Sequence, residues 1–153
     1  MNNILDYLVT GKNLRKAYGK YMDGIREQYG LTRMEIDVLL FLYNNPGHDT
    51  ASDLVELRSI AKSYVSMAVE SLTRKHYLEQ FPDGSDRRII HLKIRKEAMD
   101  AVHAAKERQD TFLQNIFSGV SEADQQAMDR IFSTLSWNLR QLSDTKEGGG
   151  KQN

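Results

Sequence analysis

The sequence predicts a mainly α fold with one small β-hairpin, an α+β chain in which the sheet is the minor part, and three observations predict it. Apolar residues recur at helical spacing over most of the length. The period changes to two only between Tyr77 and Ile94. At three places a Thr or Ser stands three residues ahead of an acid and opens an apolar run: Thr32–Glu35, Thr50–Asp53 and Ser121–Asp124. A chain of 153 residues fits one domain with an added packing or assembly element, and 40% hydrophobic against 27% charged residues argues against global disorder.

The first segment, residues 4–28, places Ile4, Leu8, Leu14, Tyr18, Tyr21, Met22 and Ile25 at mostly helical spacings, with Gly30 as its stop, so one helix is expected. Thr32 and Glu35 then form a capping box for a short buried helix carrying Ile36, Leu39, Leu40 and Tyr43, and Asn44-Asn-Pro-Gly47 ends it. Thr50 and Asp53 start a helix of about two turns through Leu54, Val55 and Leu57. After a break near residues 58–60 comes AKSYVSMAVESLTRKHYLEQ. Its apolar stripe is Val65, Ala68, Val69 and Leu72, whereas Lys62, Ser63, Ser66, Met67, Glu70, Thr73 and Arg74 fall on other sides.

Residues 77–81 and 89–94 alternate as strands joined by the turn-forming tip Pro82-Asp-Gly-Ser-Asp86. Two further helices follow. One carries Ala98, Val102, Ala105, Phe112, Leu113, Ile116 and Phe117 up to Gly119; the other carries Met128, Ile131, Phe132, Leu135, Leu139 and Leu142. These long stripes exceed what a three-helix unit needs to cover itself, which points to assembly. The tail KEGGGKQN is expected to be mobile.

Composition removes several classes. There is no cysteine, hence no disulfide, thiol switch or thiolate metal site. No apolar run approaches the roughly 18–20 residues that span a bilayer, and the amino terminus lacks a signal-peptide pattern, so a soluble, cytoplasmic chain without a membrane partner is expected. The 21 basic and 21 acidic residues balance, but unevenly along the chain: between Arg58 and Lys96 nine basic residues face four acids, leaving twelve against seventeen elsewhere. A basic middle within acidic flanks suits a face that meets a polyanion. His48, His76, His91 and His103 lack a metal-ligand spacing, and no phosphate loop or nucleophile elbow occurs. No catalytic residue, cofactor or metal is therefore expected. His103 and Glu107, one helical turn apart, are the sole hint of a metal, and an ordinary exposed helical pair is the stronger explanation of them.

The order LTRMEIDVLLFL, TASDLVEL, AKSYVSMAVESLTRKHYLEQ, DGSDRRIIHLKI resembles the winged helix-turn-helix of the MarR family of bacterial transcriptional regulators, most specifically in Asp86-Arg87-Arg88 behind a helix ending LTRKHYLEQ. The likeness covers residues 30–96 in motif and the whole chain in layout. It departs where the family often has Arg at Met67 and Ser71, Gly at His76, and a Leu-Thr-x-x-Gly exit where this chain has Ile94-Arg-Lys-Glu-Ala98.

The resemblance implies a DNA-binding domain over 30–96, dimerisation helices over 1–29 and 97–144, and a flexible tail over 145–153. It implies a homodimeric regulator, a repressor, that reads a pseudo-palindromic duplex. Lys62, Ser63, Tyr64, Ser66 and Met67 would face the major groove, since a helix there must present side chains small or polar enough to reach base edges. Arg87 and Arg88 would serve the minor groove jointly, one inserting and the other holding the hairpin by pairing to Asp86 or Asp53. Arg58, Arg74, Lys75, Lys93, Arg95 and Lys96 would supply phosphate contacts. A small-molecule effector is implied between the dimerising and reading regions, beside the tyrosines of the first two helices, with Tyr18, Tyr21 and Tyr43 as candidates and Tyr7 and Tyr29 nearby; ordinary packing is the competing role. Two other readings stay open: a winged-helix module for a protein partner, and a metal-sensing regulator.

Overall fold

The computed structural model describes residues 4–144, with side chains for residues 9–142. The expected mobile tail, residues 145–153, and the side chains of Ile4, Tyr7 and Leu8 lie outside the described residues. The elements run α1 (Ile4–Tyr21), α2 (Asp23–Tyr29), α3 (Arg33–Asn44), α4 (Ala51–Arg58), α5 (Lys62–Arg74), β1 (Leu78–Pro82), β2 (Ile90–Ile94), a short 3-10 turn (Lys96–Ala98), α6 (Met99–Ile116) and α7 (Glu122–Asp144). They fall into two compact units, one ending at Phe112 and one beginning at Leu113.

In the first unit the expected single amino-terminal helix is two. Met22 has φ −85° and ψ −4°, which flattens the helical turn and lets its carbonyl accept from both Ile25 and Arg26 before α2 continues. Met22 and Ile25 are both buried across this kink, so the apolar periodicity passes through it unbroken. Gly30, in the left-handed region at φ 61°, closes α2.

Both threonine caps form. The Thr32 hydroxyl accepts from the Glu35 amide at 3.2 Å while a Glu35 carboxylate oxygen accepts from the Thr32 amide at 2.7 Å. Thr50 and Asp53 make the same reciprocal pair, at 3.1 and 3.0 Å, at the start of α4. Each cap satisfies two backbone donors that the first helical turn leaves open, worth about 1 kcal/mol or more. Asp53 is thereby committed to its own helix, which removes it as a partner for a hairpin arginine.

The core of this unit lies among α3, α4, α5 and the hairpin: Ile36, Val38, Leu39 and Leu40, then Leu54, then Val65, Ala68, Val69 and Leu72, then Leu78 and Leu92. Fully burying each large aliphatic chain stabilises the fold by roughly 1.5–3 kcal/mol. Tyr43, expected on the buried face of α3, is instead 39% exposed, because it follows the core turn and looks toward His103.

One polar group is sealed inside this core. Glu35, 1% exposed, receives the Lys75 ammonium at 2.9 Å, and the same ammonium donates to the Gly30 carbonyl at 2.8 Å. Burial alone would raise the Glu35 carboxyl; the Ser71 hydroxyl nearby and the hydrogen bonds from the Thr32 amide and Lys75 overcome it and hold the carboxyl below its ordinary value. Lys75 is therefore a tie between the end of α5 and the start of α3, not one of the phosphate contacts expected of it.

Past α5, His76 adopts φ 60° so that the Tyr77 amide can reach back to the Leu72 carbonyl at 2.9 Å. This is the position where the family resemblance calls for glycine, and the backbone explains why, since an L side chain in this region is strained. His76→Gly is expected to stabilise the protein by about 1 kcal/mol in chemical denaturation, with no change in the hairpin. Because the Tyr77 amide is spent on Leu72, β1 starts one residue later than the alternation predicts. Likewise the Ile89 amide turns inward to the Asp86 carbonyl, so β2 starts at Ile90.

The second unit is dominated by α7, which Ser121 caps by accepting from the Asp124 amide at 3.1 Å. Ile131, Phe132, Leu135 and Leu142, on one stripe of this helix, are all about half exposed or more.

Candidate nucleic-acid interface

The contrast between α5 and its neighbours starts at its first residue. Helices α3 and α4 each have a threonine cap, whereas α5 begins after Ala61 with no side-chain cap. The Tyr64 and Val65 amides bond to the Ala61 carbonyl. The amides ahead of them are left pointing out of a helix start, where the macrodipole is positive and an anion is favoured. Around that opening Lys62, Ser63, Tyr64, Ser66 and Met67 are all exposed, while Val65, Ala68, Val69 and Leu72 are buried on the opposite side. The sequence stripe and the exposed face thus agree residue by residue. Arg74 is exposed in the last turn.

Behind α5 the hairpin pairs antiparallel, Leu78 with Ile94, Gln80 with Leu92 and Pro82 with Ile90. Its tip is a built turn. One Asp83 carboxylate oxygen accepts from the Ser85 and Asp86 amides at 2.8 and 2.9 Å, and the Asp83 amide donates to the Ile89 carbonyl at 2.9 Å. The Asp86 and Ser85 amides, with His91, hold the Asp83 carboxyl far down, at about 2. Asp86 in turn grips Arg88 through two parallel bonds, 3.0 Å to Nε and 2.8 Å to Nη2, and also accepts from the Arg88 amide. This bidentate clasp fixes the Arg88 side chain along the hairpin, although it is 90% exposed. Arg87, next to it, is exposed and has no hydrogen-bond or ion-pair partner among the described residues.

Two expected phosphate contacts are placed elsewhere. Arg58 lies 5.4 Å over the ring of Phe41 and lines a cleft with residues of α1, α3 and α6. Arg95 pairs with Glu97 at 3.3 Å. Lys93 and Lys96 remain exposed.

The cleft around Arg58 has a volume of about 660 Å³ and is lined by Arg15, Tyr18, Arg33, Asp37, Phe41 and Gln109, among others. Of the three tyrosines expected there, Tyr18 lines it; its hydroxyl accepts from Gln109 at 3.1 Å, and burial pushes its pKa up. Tyr21 and Tyr43 do not. The Tyr21 ring packs on Phe112 and under the Arg108 guanidinium at 4.6 Å, and Tyr43 meets His103 edge-on at 5.9 Å. Sequence reasoning missed the charged lining. Burial raises the Asp37 carboxyl despite Arg33 and Arg58 nearby, and Arg33 reaches the Arg15 carbonyl across a glycine, Gly19, whose missing side chain leaves room for the guanidinium.

Among the described residues no group of three His, Asp or Glu is arranged to hold a metal ion. His103, the residue on which a metal-sensing reading depended, meets the Tyr43 ring edge-on.

Two capped helices, an uncapped third with an open polar face, and a hairpin bearing a clasped and an unclasped arginine define a winged helix-turn-helix protein. Residues 29–89 match the MarR family model. Through this segment the chain is similar to the MarR family. It is 22% identical over 134 residues to the HTH-type transcriptional repressor IacR of Pseudomonas putida, covering 84% of this chain and 78% of that protein. Its fold is similar to that of S. aureus MepR in its DNA-binding conformation, with TM-score 0.79, 20% identity and coverage of 87% and 98% of the two chains. It is similar also to Bordetella bronchiseptica BpsR, whose DNA binding is regulated by 6-hydroxynicotinic acid, with TM-score 0.60, 22% identity and coverage of 82% and 91%.

Proposed function

We propose that the chain acts as a homodimeric, sequence-specific DNA-binding repressor of the cytoplasm, without enzymatic activity, whose affinity for a pseudo-palindromic operator is set by a small-molecule effector. The observation that carries this reading is the pairing of an uncapped, serine-faced α5 with a hairpin whose Arg87 has no partner among the described residues while Arg88 is held by Asp86. In this reading residues 30–96 read DNA, and residues 1–29 and 97–144 dimerise. Helix α5 enters the major groove with its open amides toward a phosphate, Lys62, Ser63, Tyr64, Ser66 and Met67 meet base edges, and Arg87 enters the adjacent minor groove. Arg74, Lys93 and Lys96 position the subunit on phosphates. Two-fold symmetry sets the half-sites about one helical turn apart.

The exposed α7 stripe supplies the dimer contact, because a row of large apolar side chains left in water is stabilised by covering it. Ile131→Glu with Leu135→Glu is expected to convert dimer to monomer in sedimentation velocity, each change removing roughly 1.5–3 kcal/mol of apolar burial per subunit. The cleft beside Tyr18 is the effector site. An effector that prefers one spacing of the two recognition helices shifts the population of DNA-competent dimers, with a coupling of about 1–3 kcal/mol. Selection of bound duplexes from a random pool tests the whole reading: enrichment of an inverted repeat supports it. A partner-protein module would enrich none.

A further inference from the structure

One cluster is used by neither the DNA face nor the cleft. His91, on β2, stands between two carboxylates: Nδ1 is 2.7 Å from Asp49 and Nε2 is 3.1 Å from Asp83. Asp49 belongs to the connection between α3 and α4, and Asp83 to the hairpin tip, so the ring spans two segments far apart in sequence. The backbone brings them together as well. Thr50 bridges His91, the Leu92 amide donates to the Asp49 carbonyl at 2.7 Å, and the Phe81 ring on β1 stacks on the imidazole at 5.4 Å.

We propose that Asp49, His91 and Asp83 form a proton-operated clasp that holds the wing against the α3–α4 connection, so that wing order falls as pH rises and DNA affinity falls with it. The second half rests on the reading of the wing as a DNA-contacting element; the first does not. Only the imidazolium can donate from both nitrogens at once, and each faces a carboxylate acceptor. A neutral ring must turn an acceptor toward one carboxylate, so one arm of the clasp is lost.

The charged groups facing the ring are Asp49 from the connection and Asp83 from the tip; β1 contributes the uncharged Phe81. On α4, Asp53 is held by Thr50 and lies 3.4 Å from His48, a second titratable group that needs its own control. The hydrogen bond to Asp49, then that to Asp83, raises the His91 pKa above the ordinary histidine value. A raised imidazole contributes stability that is complete below the unfolded-state value and is lost as pH rises through the folded-state value. Asp83 works in the other direction. Its depressed carboxyl contributes above the ordinary carboxylate range and is lost as pH falls toward about 2. The wing is thus most ordered in mildly acidic to neutral solution.

The test follows the free protein by NMR from about pH 6 to about pH 8.5, a window around histidine titration. It reads the His91 ring signals and the exchange protection of the Asp83 and Ile89 amides, corrected for intrinsic exchange, alongside affinity for a duplex that the protein has selected from a random pool. The clasp predicts that His91 titrates above ordinary histidine and that wing protection falls with that titration. It predicts that affinity drops about three- to tenfold across it, the equivalent of up to one pKa unit. Asp49→Asn and His91→Gln should abolish the pH response of the wing, while His48→Gln should leave it intact. A charge effect alone would make Asp49→Asn bind DNA more tightly and keep the pH dependence; the clasp predicts weaker binding and a flat profile. His91 titrating as an exposed histidine, or wing protection that ignores its titration, overturns the proposal. The expected titration with no duplex bound at any pH would uphold the clasp and overturn the DNA reading instead.

Discussion

Replacing Arg87 and Arg88 together by alanine is expected to weaken operator binding by roughly 2–5 kcal/mol, since each lost arginine contact to a groove or phosphate costs about 1–3 kcal/mol. The two residues should not contribute alike. Arg87 has no partner among the described residues, so Arg87→Ala removes a side chain that the described fold does not use, and it should carry most of the loss with no change in melting temperature. Arg88 is tied to Asp86 by a bidentate pair, so Arg88→Ala frees the carboxylate near DNA and loosens the tip. Asp86→Ala should then resemble Arg88→Ala in affinity, although it adds net positive charge, because what it loses is the geometry of the hairpin. Filter binding or fluorescence anisotropy on the selected operator separates the three variants, and sedimentation should find each still dimeric.

The second large effect concerns stability. Lys75→Met removes the cation from Glu35 and leaves a carboxylate with 1% exposure facing an apolar side chain. Breaking a fully buried pair from one side costs about 3–5 kcal/mol; because Lys75 is about one-third exposed, solvent screening brings the expected loss to the bottom of that range or just below it, roughly 2–3 kcal/mol in denaturant melts. Glu35→Gln should cost less, since the lysine left behind can turn its ammonium to water while the amide still accepts from Thr32. The asymmetry identifies the mechanism. Equal losses from the two variants would mean that packing, and not the stranded charge, sets the cost.

Much of this was legible in the sequence where the cause is local. The Thr32–Glu35 and Thr50–Asp53 caps depend on residues three apart, and both form. The α5 face could be read because Val65, Ala68, Val69 and Leu72 fix which side is buried and therefore which side Lys62, Ser63 and Ser66 present. Asp86 and Arg88 are two residues apart, so their pairing was one of two alternatives weighed, and the capping role of Asp53 decides between them. What could not be read depends on contacts between distant segments. Lys75 looked like one more basic residue in a basic stretch until the end of α5 was brought onto Glu35, forty residues earlier. Arg58 was drawn to Phe41, and Tyr21 and Tyr43 turned toward Phe112 and His103, by packing that periodicity does not encode. The kink at Met22 was hidden for the opposite reason: the apolar spacing continues across it. His91 had no metal-like spacing to attract notice, because its two carboxylates lie 42 and 8 residues away.

The central claim is that α5 and the wing read DNA by sequence, and a mobility-shift titration over a range of salt tests it most directly. With Arg74, Lys93 and Lys96 on each of two subunits neutralising phosphates, log affinity should fall against log salt with a slope of about −5, and the selected inverted repeat should bind at least about a thousandfold more tightly than a random duplex. No shift at low salt, or equal affinity for the two duplexes at every salt concentration, would contradict it.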